Sequence, residues 1–595
     1  MGIPSYFSHI IKSFPNIIKS LYSLKSKNTK FHSIYMDCNS IIYDAFHLIE
    51  KTQNTKPGII DIENTTVFNN LLIDNVIGNI ENYITLIEPT KTIYIAFDGV
   101  APFAKMKQQR TRRYKTSFMS KISFGMEVPK SGRNSAMITP GTDFMGLLSS
   151  RISHHFRHGE LKYKVDKIIV SAADQPGEGE HKMFQYIRDN NSKDEIVAVY
   201  GLDSDLIMLS IFHCSLFENI FIFREAPEFM KSSIPITPNS PNEPYFLDIG
   251  LLSTAILNTM QCSVSIQCGI PGQCIYPDQC TIPDQSRIYD YVFLCFFLGN
   301  DFLPHFPSLN IRTHGIQVLL DTYRKYIGNY PERSFITSTS VMHRKINWRW
   351  VSLFISELAK FEHQLILEEH VARNKFGKRI YPETTPKDKE SLFNNIPIIY
   401  REEEQYIYPL EKYWEDRYYK TLFQITPSVK KNETKEFCKD AKQPKIHFGR
   451  CNTDSDKHSS NSEIRNLCLN YLEGLEWVFK YYTQSCPDWL WKYNYNYPPL
   501  LSDLQRFVPH FETDFIKPNS NKPFLPKVQL AYVLPREQLY LLNLKNEQII
   551  HASYSHLYPQ TVEFQWAFCR YFWEAHIKLP EISKSTLERW TQILK

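Results

Sequence analysis

Residues 196–205 read Ile-Val-Ala-Val-Tyr-Gly-Leu-Asp-Ser-Asp: five apolar residues, a glycine, then Asp203 and Asp205 at i, i+2. A short apolar run without polar alternation, rich in β-branched residues, is the pattern of a strand buried on both faces. Two other runs end in the same way, SIYMD at 33–37 and TIYIAFD at 92–98, which close on Asp37 and Asp98. Helix-length stretches lie between them, Val67 to Leu86 and Phe144 to Phe156. Strands alternating with helices predict an α/β fold with a largely parallel sheet. Ligands of such sheets bind beyond the carboxyl ends of the strands.

The carboxylates of this chain gather at those ends. Glu178-Gly-Glu180 repeats the spacing of Asp203-Ser-Asp205, and the apolar stretch Phe293 to Asn300 runs straight into Asp301. Asp37, Asp98, Glu178, Glu180, Asp203, Asp205 and Asp301 are therefore the candidate catalytic and metal-binding residues. Acids this close repel unless a cation lies between them, and hard oxygen ligands in such number suit Mg²⁺ or Mn²⁺. Two ions would activate the attacking water and stabilise the leaving oxygen of a phosphodiester displacement. A single Asp at a helix start needs no metal, because it caps the helix and complements its dipole. Five separate strand or loop ends carrying acids, flanked by Gly99, Gly177, Gly179, Gly201 and Gly299, exceed what capping explains.

Directly after Asp98 the charge reverses. From Lys105 to Arg133 there are nine Lys or Arg against one acid, Glu127. Such a local excess is the footprint of a polyanion partner, although the net charge of the whole chain is only +5. Pro102 is placed to open a helix on which Lys105, Gln109, Arg112 and Arg113 fall at i, i+4, i+7 and i+8. That spacing sets them on one face, able to grip a terminal phosphate through charge-assisted hydrogen bonds. The competing reading is a solvated basic helix.

At 595 residues the chain is long enough for more than one domain-sized unit. We divide it into an α/β nuclease core over 1–340 and a mostly helical, aromatic-rich region over 341–595. The polar stretch 428–462 is expected to be a mobile loop. No apolar run approaches the roughly 20 residues that span a bilayer, so no membrane helix is expected. The start MGIPSYF has no signal-peptide pattern and reads as untargeted. Without a basic localisation run the expected compartment is the cytoplasm, with the nucleus as the alternative. The twelve cysteines are read as free thiols. Four of them, Cys262, Cys268, Cys274 and Cys280, recur every six residues in a Gln-Cys repeat from Gln261, too widely spaced for a zinc knuckle. No structural zinc is expected.

Six stretches, in order, resemble the XRN family of 5′→3′ exoribonucleases: MGIP (1–4), DGVAPFAKMKQQRTRRYK (98–115), ITPGTDFM (138–145), PGEGEHK (176–182), YGLDSDLIML (200–209) and FLGNDFLPHFPSL (297–309). The resemblance continues more faintly through YLEGLEW (471–477), WLW (489–491) and PFLPKVQLAYVLP (523–535). It implies a PIN-like, flap-nuclease-related core completed by a second, mostly helical segment. It also implies processive, Mg²⁺- or Mn²⁺-dependent, two-metal hydrolysis of single-stranded RNA with a 5′-monophosphate to 5′-mononucleotides. The family's metal carboxylates fall on the seven acids above, and its 5′-phosphate pocket on Lys105, Gln109, Arg112 and Arg113. The chain is expected to be a compact, monomeric member without the extra domains of the longest relatives.

An enzyme that removes any nucleotide cannot read base edges, whereas aromatic stacking accepts every base. Tyr43, six residues after Asp37, is the candidate stacking ring, at a position where the family pattern carries His. Trp489 or Trp491 is the candidate opposing ring. Two rival functions remain open on sequence: a structure-specific 5′ flap or DNA nuclease with the same acids, and an inactive RNA-binding scaffold.

Overall fold

The computed structural model describes residues 2–55, 64–123, 134–190, 192–201, 203–225, 244–260, 286–340, 343–426, 454–517 and 519–594. The Gln-Cys repeat, from 261 to 285, and residues 428–453 of the expected loop lie outside them. A seven-stranded sheet forms the centre, from β1 (Ile18–Ser20), β2 (Ser33–Asp37), β3 (Thr92–Ala96), β4 (Lys167–Ser171), β5 (Ile196–Tyr200), β6 (Asn219–Arg224) and β7 (Tyr245–Asp248). Its spatial order is β1-β7-β6-β5-β2-β3-β4. The five strands from β6 to β4 are parallel, with Tyr35 opposite Tyr94 and Val199; β7 and β1 add an antiparallel edge. The expected largely parallel α/β sheet is what forms.

Both faces of the sheet are covered, and the strands show it residue by residue. Ile34 and Met36, Ile93 and Ile95, Ala198 and Tyr200 point into one layer with helices Asn39–Thr55, Thr65–Ile87 and Asp143–Phe156. Tyr35, Tyr94 and Ala96, Val197 and Val199 point into the other. Side chains alternate at a period of two, but because each face meets apolar partners the sequence shows no polar alternation.

The second layer has no boundary near residue 340. One apolar core runs from Ile3 and Tyr6 across the sheet into Trp348, Trp477 and Trp491. The division at 340 thus marks a change of sequence texture rather than a gap between cores. Beyond it the chain is mostly helical, with helix Trp348–Ala359 near the start and two short hairpins, Ile336–Ser340 with His343–Ile346 and Glu563–Gln565 with His576–Lys578. Helix Asp454–Thr483 begins inside the expected loop, so residues 454–462 are helical. A third cluster packs the inner side of helix Phe103–Ser123, through Phe103 and Met106, against Phe524, Val528 and Tyr532. Arg110, which looks from sequence like part of the cationic face, anchors this contact by donating to the carbonyls of Leu557 and Pro580 at 2.9 Å each. Among the described residues no helix is long and apolar enough to cross a membrane.

Candidate active site

Four neighbouring parallel strands, β5, β2, β3 and β4, bring their carboxyl ends to one edge of the sheet. Asp37 is the last residue of β2 and Asp98 lies just past β3. Glu178 stands at the N-cap of helix Gly179–Asp189 and Asp203 at that of helix Ser204–His213, and neither side chain makes the capping bond to its helix. Capping therefore does not account for these two acids. Glu180 and Asp205 follow in the first turns. Asp301 arrives from the other layer, after helix Arg287–Cys295 and a 3₁₀ turn, Phe296–Leu298. The turn at Gly299 has φ +81°, and a Cβ there would lie 2.6 Å from the His305 nitrogen, so the bend into Asp301 needs glycine. Gly179 is constrained by proximity instead: a Cβ would sit 2.8 Å from Asp37 Oδ1.

A cleft of about 260 Å³ is lined by Asp37, Asp98, Glu178, Glu180, Asp203 and Asp301 together with Lys105, Gln109, Arg112 and Arg113. Sequence spacing thus leads to one site. The seventh acid, Asp205, is only 2% exposed and lies behind it, where its Oδ1 accepts a hydrogen bond from the Tyr482 hydroxyl. Tyr481 donates to Glu178 Oε1 at 2.9 Å. Behind this contact runs a column of rings: His181 stacks on Tyr481 at 3.7 Å, Tyr481 leans on Trp477 at 4.8 Å, and Trp477 stacks on Trp491 at 5.1 Å. The helical region therefore holds the carboxylates in place. Tyr481 and Tyr482 are the site residues that sequence reading passes over.

Burial and crowding set the electrostatics. Asp37 is pushed up to about 8, first by burial and then by the charges of Asp98 and Asp203. Burial and the Asp205 charge raise Glu180 well above the usual carboxylate range. The Lys105 ammonium lies 2.5 Å from Glu178 Oε2 and 2.7 Å from Asp301 Oδ2. Burial alone would raise Asp301, but Lys105 pulls it well down. This corrects one expectation: Lys105 sits among the acids and not out along the cationic face. Among the described residues no three acidic, His or Cys side chains already form a coordination shell, as the Lys105 cation stands between two of the acids. An all-oxygen donor set crowded enough to lift its own pKa values and draw in a lysine fits a hard divalent cation.

The other predicted residues are placed unevenly. Tyr43 lines the cleft on the first helix after Asp37. Arg113 donates to Thr139 Oγ1, and Gln109 Oε1 accepts from Gln529 Nε2 at 3.3 Å. Arg112 makes no hydrogen bond through its guanidinium among the described residues, and its cation faces the cleft. Trp489 is partly buried at the start of the basic helix, where its carbonyl accepts from Phe103 N at 3.0 Å. Trp491 is 8% exposed, covered by Trp477. Its ring is committed to the core, which removes it as a stacking platform.

Clustered carboxylates at the carboxyl ends of a parallel sheet, bordered by a cationic helix, define a PIN-like nuclease core. Residues 1–226 match the family model described as XRN 5′-3′ exonuclease N-terminus, and residues 283–595 match the Xrn1 helical domain. The chain belongs to the XRN 5′-3′ exonuclease family. It is 25% identical to 5′-3′ exoribonuclease 1 of Saccharomyces cerevisiae, over 99% of this chain and 43% of that protein. It is 27% identical to the 5′-3′ exoribonuclease 2 homolog of Drosophila melanogaster, over 90% and 64%, and 25% identical to 5′-3′ exoribonuclease 2 of Arabidopsis thaliana, over 100% and 67%. The chain thus spans between 43% and 67% of the length of these relatives.

Proposed function

We propose that the protein is a processive 5′→3′ exoribonuclease that hydrolyses single-stranded RNA bearing a 5′-monophosphate to 5′-mononucleotides, acting as a monomer in the cytoplasm. The observation that carries this is the single cleft in which strand-end carboxylates face Lys105, Gln109, Arg112 and Arg113. Its relatives' names and the family models support the same reading. Asp37, Asp98, Glu178, Glu180, Asp203, Asp205 and Asp301 would hold two Mg²⁺ or Mn²⁺ ions. Bound there, the ions supply water activation and neutralise the leaving oxygen.

The chain's own residues do the rest. Arg112, Arg113 and Gln109 offer donors to the terminal phosphate, which fixes the scissile bond one nucleotide away, at the carboxylates. Lys105 turns from Glu178 and Asp301 toward that phosphate once those acids take up cations. Tyr43 stacks on the terminal base from the cleft wall, with Trp489 as the opposing ring, and neither reads base identity. Tyr481 and Tyr482 orient Glu178 and Asp205 through their hydroxyls.

A flap nuclease would share the acids, so the substrate decides. RNA internally labelled and carrying 5′-monophosphate, 5′-triphosphate or 5′-hydroxyl, incubated with Mg²⁺ beside a DNA flap, should release mononucleotides chiefly from the first. Preferred cleavage of the flap, or equal use of all three RNA ends, would transfer the protein to the rival class.

A further inference from the structure

Helix Phe103–Ser123 is a wall between two cavities. Lys105 and Gln109 face the carboxylate cleft; Lys107, Gln108, Thr111 and Lys115, on the neighbouring face, line a second cavity of about 250 Å³. Arg112 and Asp301 line both. Nothing in the reaction proposed above uses the second cavity, yet its lining is unusual for structural packing.

Three buried polar atoms of that lining have no hydrogen-bond partner among the described residues: Gln108 Oε1, Asn300 Nδ2 and the Tyr497 hydroxyl. The amide orientations are fixed by their other ends. Gln108 Nε2 donates to Asp301 Oδ1 at 3.4 Å, so its oxygen is the orphan; Asn300 Oδ1 accepts from the backbone of Phe302 and Leu303 at 2.9 Å each, so its amino group is the orphan. Tyr497 is 3% exposed. Orphans of this kind are rare, because each forfeits the hydration it had in the unfolded chain. An acceptor, a donor and a hydroxyl around one cavity ask for a ligand that carries both donors and acceptors on a small rigid frame.

The charge of the lining points to an anion on that frame. Lys107 and Lys115 are held by carbonyls alone: Lys107 by Tyr493 and Tyr495 at 2.9 and 3.2 Å, Lys115 by Trp573 and Ala575, the latter at 3.0 Å. Carbonyl dipoles orient an ammonium without cancelling its charge, and burial pushes Lys115 down to about 8. Of the other lining cations, Arg312 is already paired with Glu574 at 2.6 Å. Aromatic rings of Tyr495 and Phe568 supply flat apolar wall, the surface on which a nucleobase stacks.

We propose that this cavity is a second nucleotide site, which takes a nucleoside 5′-monophosphate, with the base against the orphaned amides and the phosphate toward Lys107, Lys115 and Arg112. The identification of this ligand as the enzyme's own product rests on the exoribonuclease reading; its binding does not. The site is coupled to the cleft by the Gln108 amide, whose oxygen faces the cavity while its nitrogen reaches Asp301. A bound nucleotide that donates to Gln108 fixes that amide and so restrains Asp301, and RNA in the cleft does not displace it. Mononucleotide should therefore slow turnover in a way that added RNA does not relieve.

The test is calorimetric binding of AMP to the full chain, with adenosine and inorganic phosphate as separate arms. Wild type should bind AMP at least about tenfold more tightly than either fragment. Lys105→Ala, which cripples the front cleft, should still bind it. Thr111→Trp, which fills the back cavity, should not, and should also abolish the RNA-insensitive part of AMP inhibition. Tyr497→Phe keeps the ring and deletes only the orphaned hydroxyl, so it should fold and bind AMP about three- to tenfold more weakly; it decides the matter if Thr111→Trp fails to fold. No AMP binding, unchanged affinity in Tyr497→Phe, or binding that disappears with Lys105→Ala and survives Thr111→Trp would each overturn the proposal. Wild type that binds AMP in this pattern but degrades no RNA would sink the exoribonuclease reading and leave the site standing.

Discussion

Tyr482→Phe isolates what the helical region does for the acidic cluster. The mutation removes a single hydroxyl, the donor to Asp205 Oδ1. The ring's own packing is retained, edge-on to His181 at 5.5 Å and to Phe296 at 5.3 Å, so the fold should be undisturbed. Asp205 is 2% exposed, and water does not replace the lost donor. A buried hydrogen bond to a charged group is worth about 1.5–3 kcal/mol, and groups that orient metal ligands typically govern about 10- to 100-fold in metal affinity. The half-saturating Mg²⁺ concentration for hydrolysis of 5′-monophosphorylated RNA should therefore rise about 10- to 100-fold. At high Mg²⁺ the maximal rate should return, and a thermal melt by circular dichroism should overlay wild type to within a few degrees. A Mg²⁺ profile identical to wild type would refute the claim that Tyr482 orients a metal ligand. A rate that no Mg²⁺ concentration restores would refute it equally, by giving the hydroxyl a part in the chemistry itself.

Other perturbations separate neighbouring roles. Arg112→Ala should cut the preference for 5′-monophosphate over 5′-hydroxyl about 10- to 100-fold by loss of charge-assisted bonds, measured as a ratio of kcat/KM; an unchanged ratio would leave the basic helix a solvated face. Trp489→Ala should slow degradation equally for all four bases at unchanged stability, whereas Trp491→Ala should destabilise the fold by about 3–5 kcal/mol in urea melts; the reverse pairing would contradict the assignment of Trp491 to the core. His305 and His576 are held neutral, first by burial, down to about 4 and about 3. Their folded values lie below the unfolded value of about 6.5, so their stability contribution is intact above that pH and is lost as pH falls. The loss should be at most about 1.4 kcal/mol per pH unit for each histidine. His576→Phe should flatten urea stability measured between pH 6.5 and 4, and an unchanged slope would show that the histidine titrates freely in the folded state.

The sheet was legible because β2, β3 and β5 are apolar throughout and each runs out into an acid. The layer to which Ile34 or Tyr35 belongs was not, since a strand covered on both faces carries no polar mark. Spacing placed Lys105, Gln109 and Arg112 on one helix face correctly, but spacing is blind to depth. It gave no sign that Lys105 reaches the acids, or that Arg110 turns inward to carbonyls near the C-terminus. Tyr481 and Tyr482 escaped notice because a buried aromatic in a helix reads as core, and the Tyr482 contact with Asp205 spans 277 positions. The polar composition that suggested a loop through 462 reflects exposure, and exposed polar residues also begin helices; the helix from Asp454 is such a case.

The central claim is that the strand-end carboxylates form one metal-dependent hydrolytic centre. It is tested most directly by following mononucleotide release from 5′-monophosphorylated RNA by wild type and Asp205→Asn across a Mg²⁺ titration, with EDTA as the zero point. Asp205→Asn preserves the shape of a buried side chain while removing its charge, so folding and RNA binding should survive. Wild type should release 5′-mononucleotides in Mg²⁺ and none in EDTA, and Asp205→Asn should release none at any Mg²⁺ concentration while still binding RNA. Wild-type turnover by Asp205→Asn, or mononucleotide release in EDTA, would contradict the account.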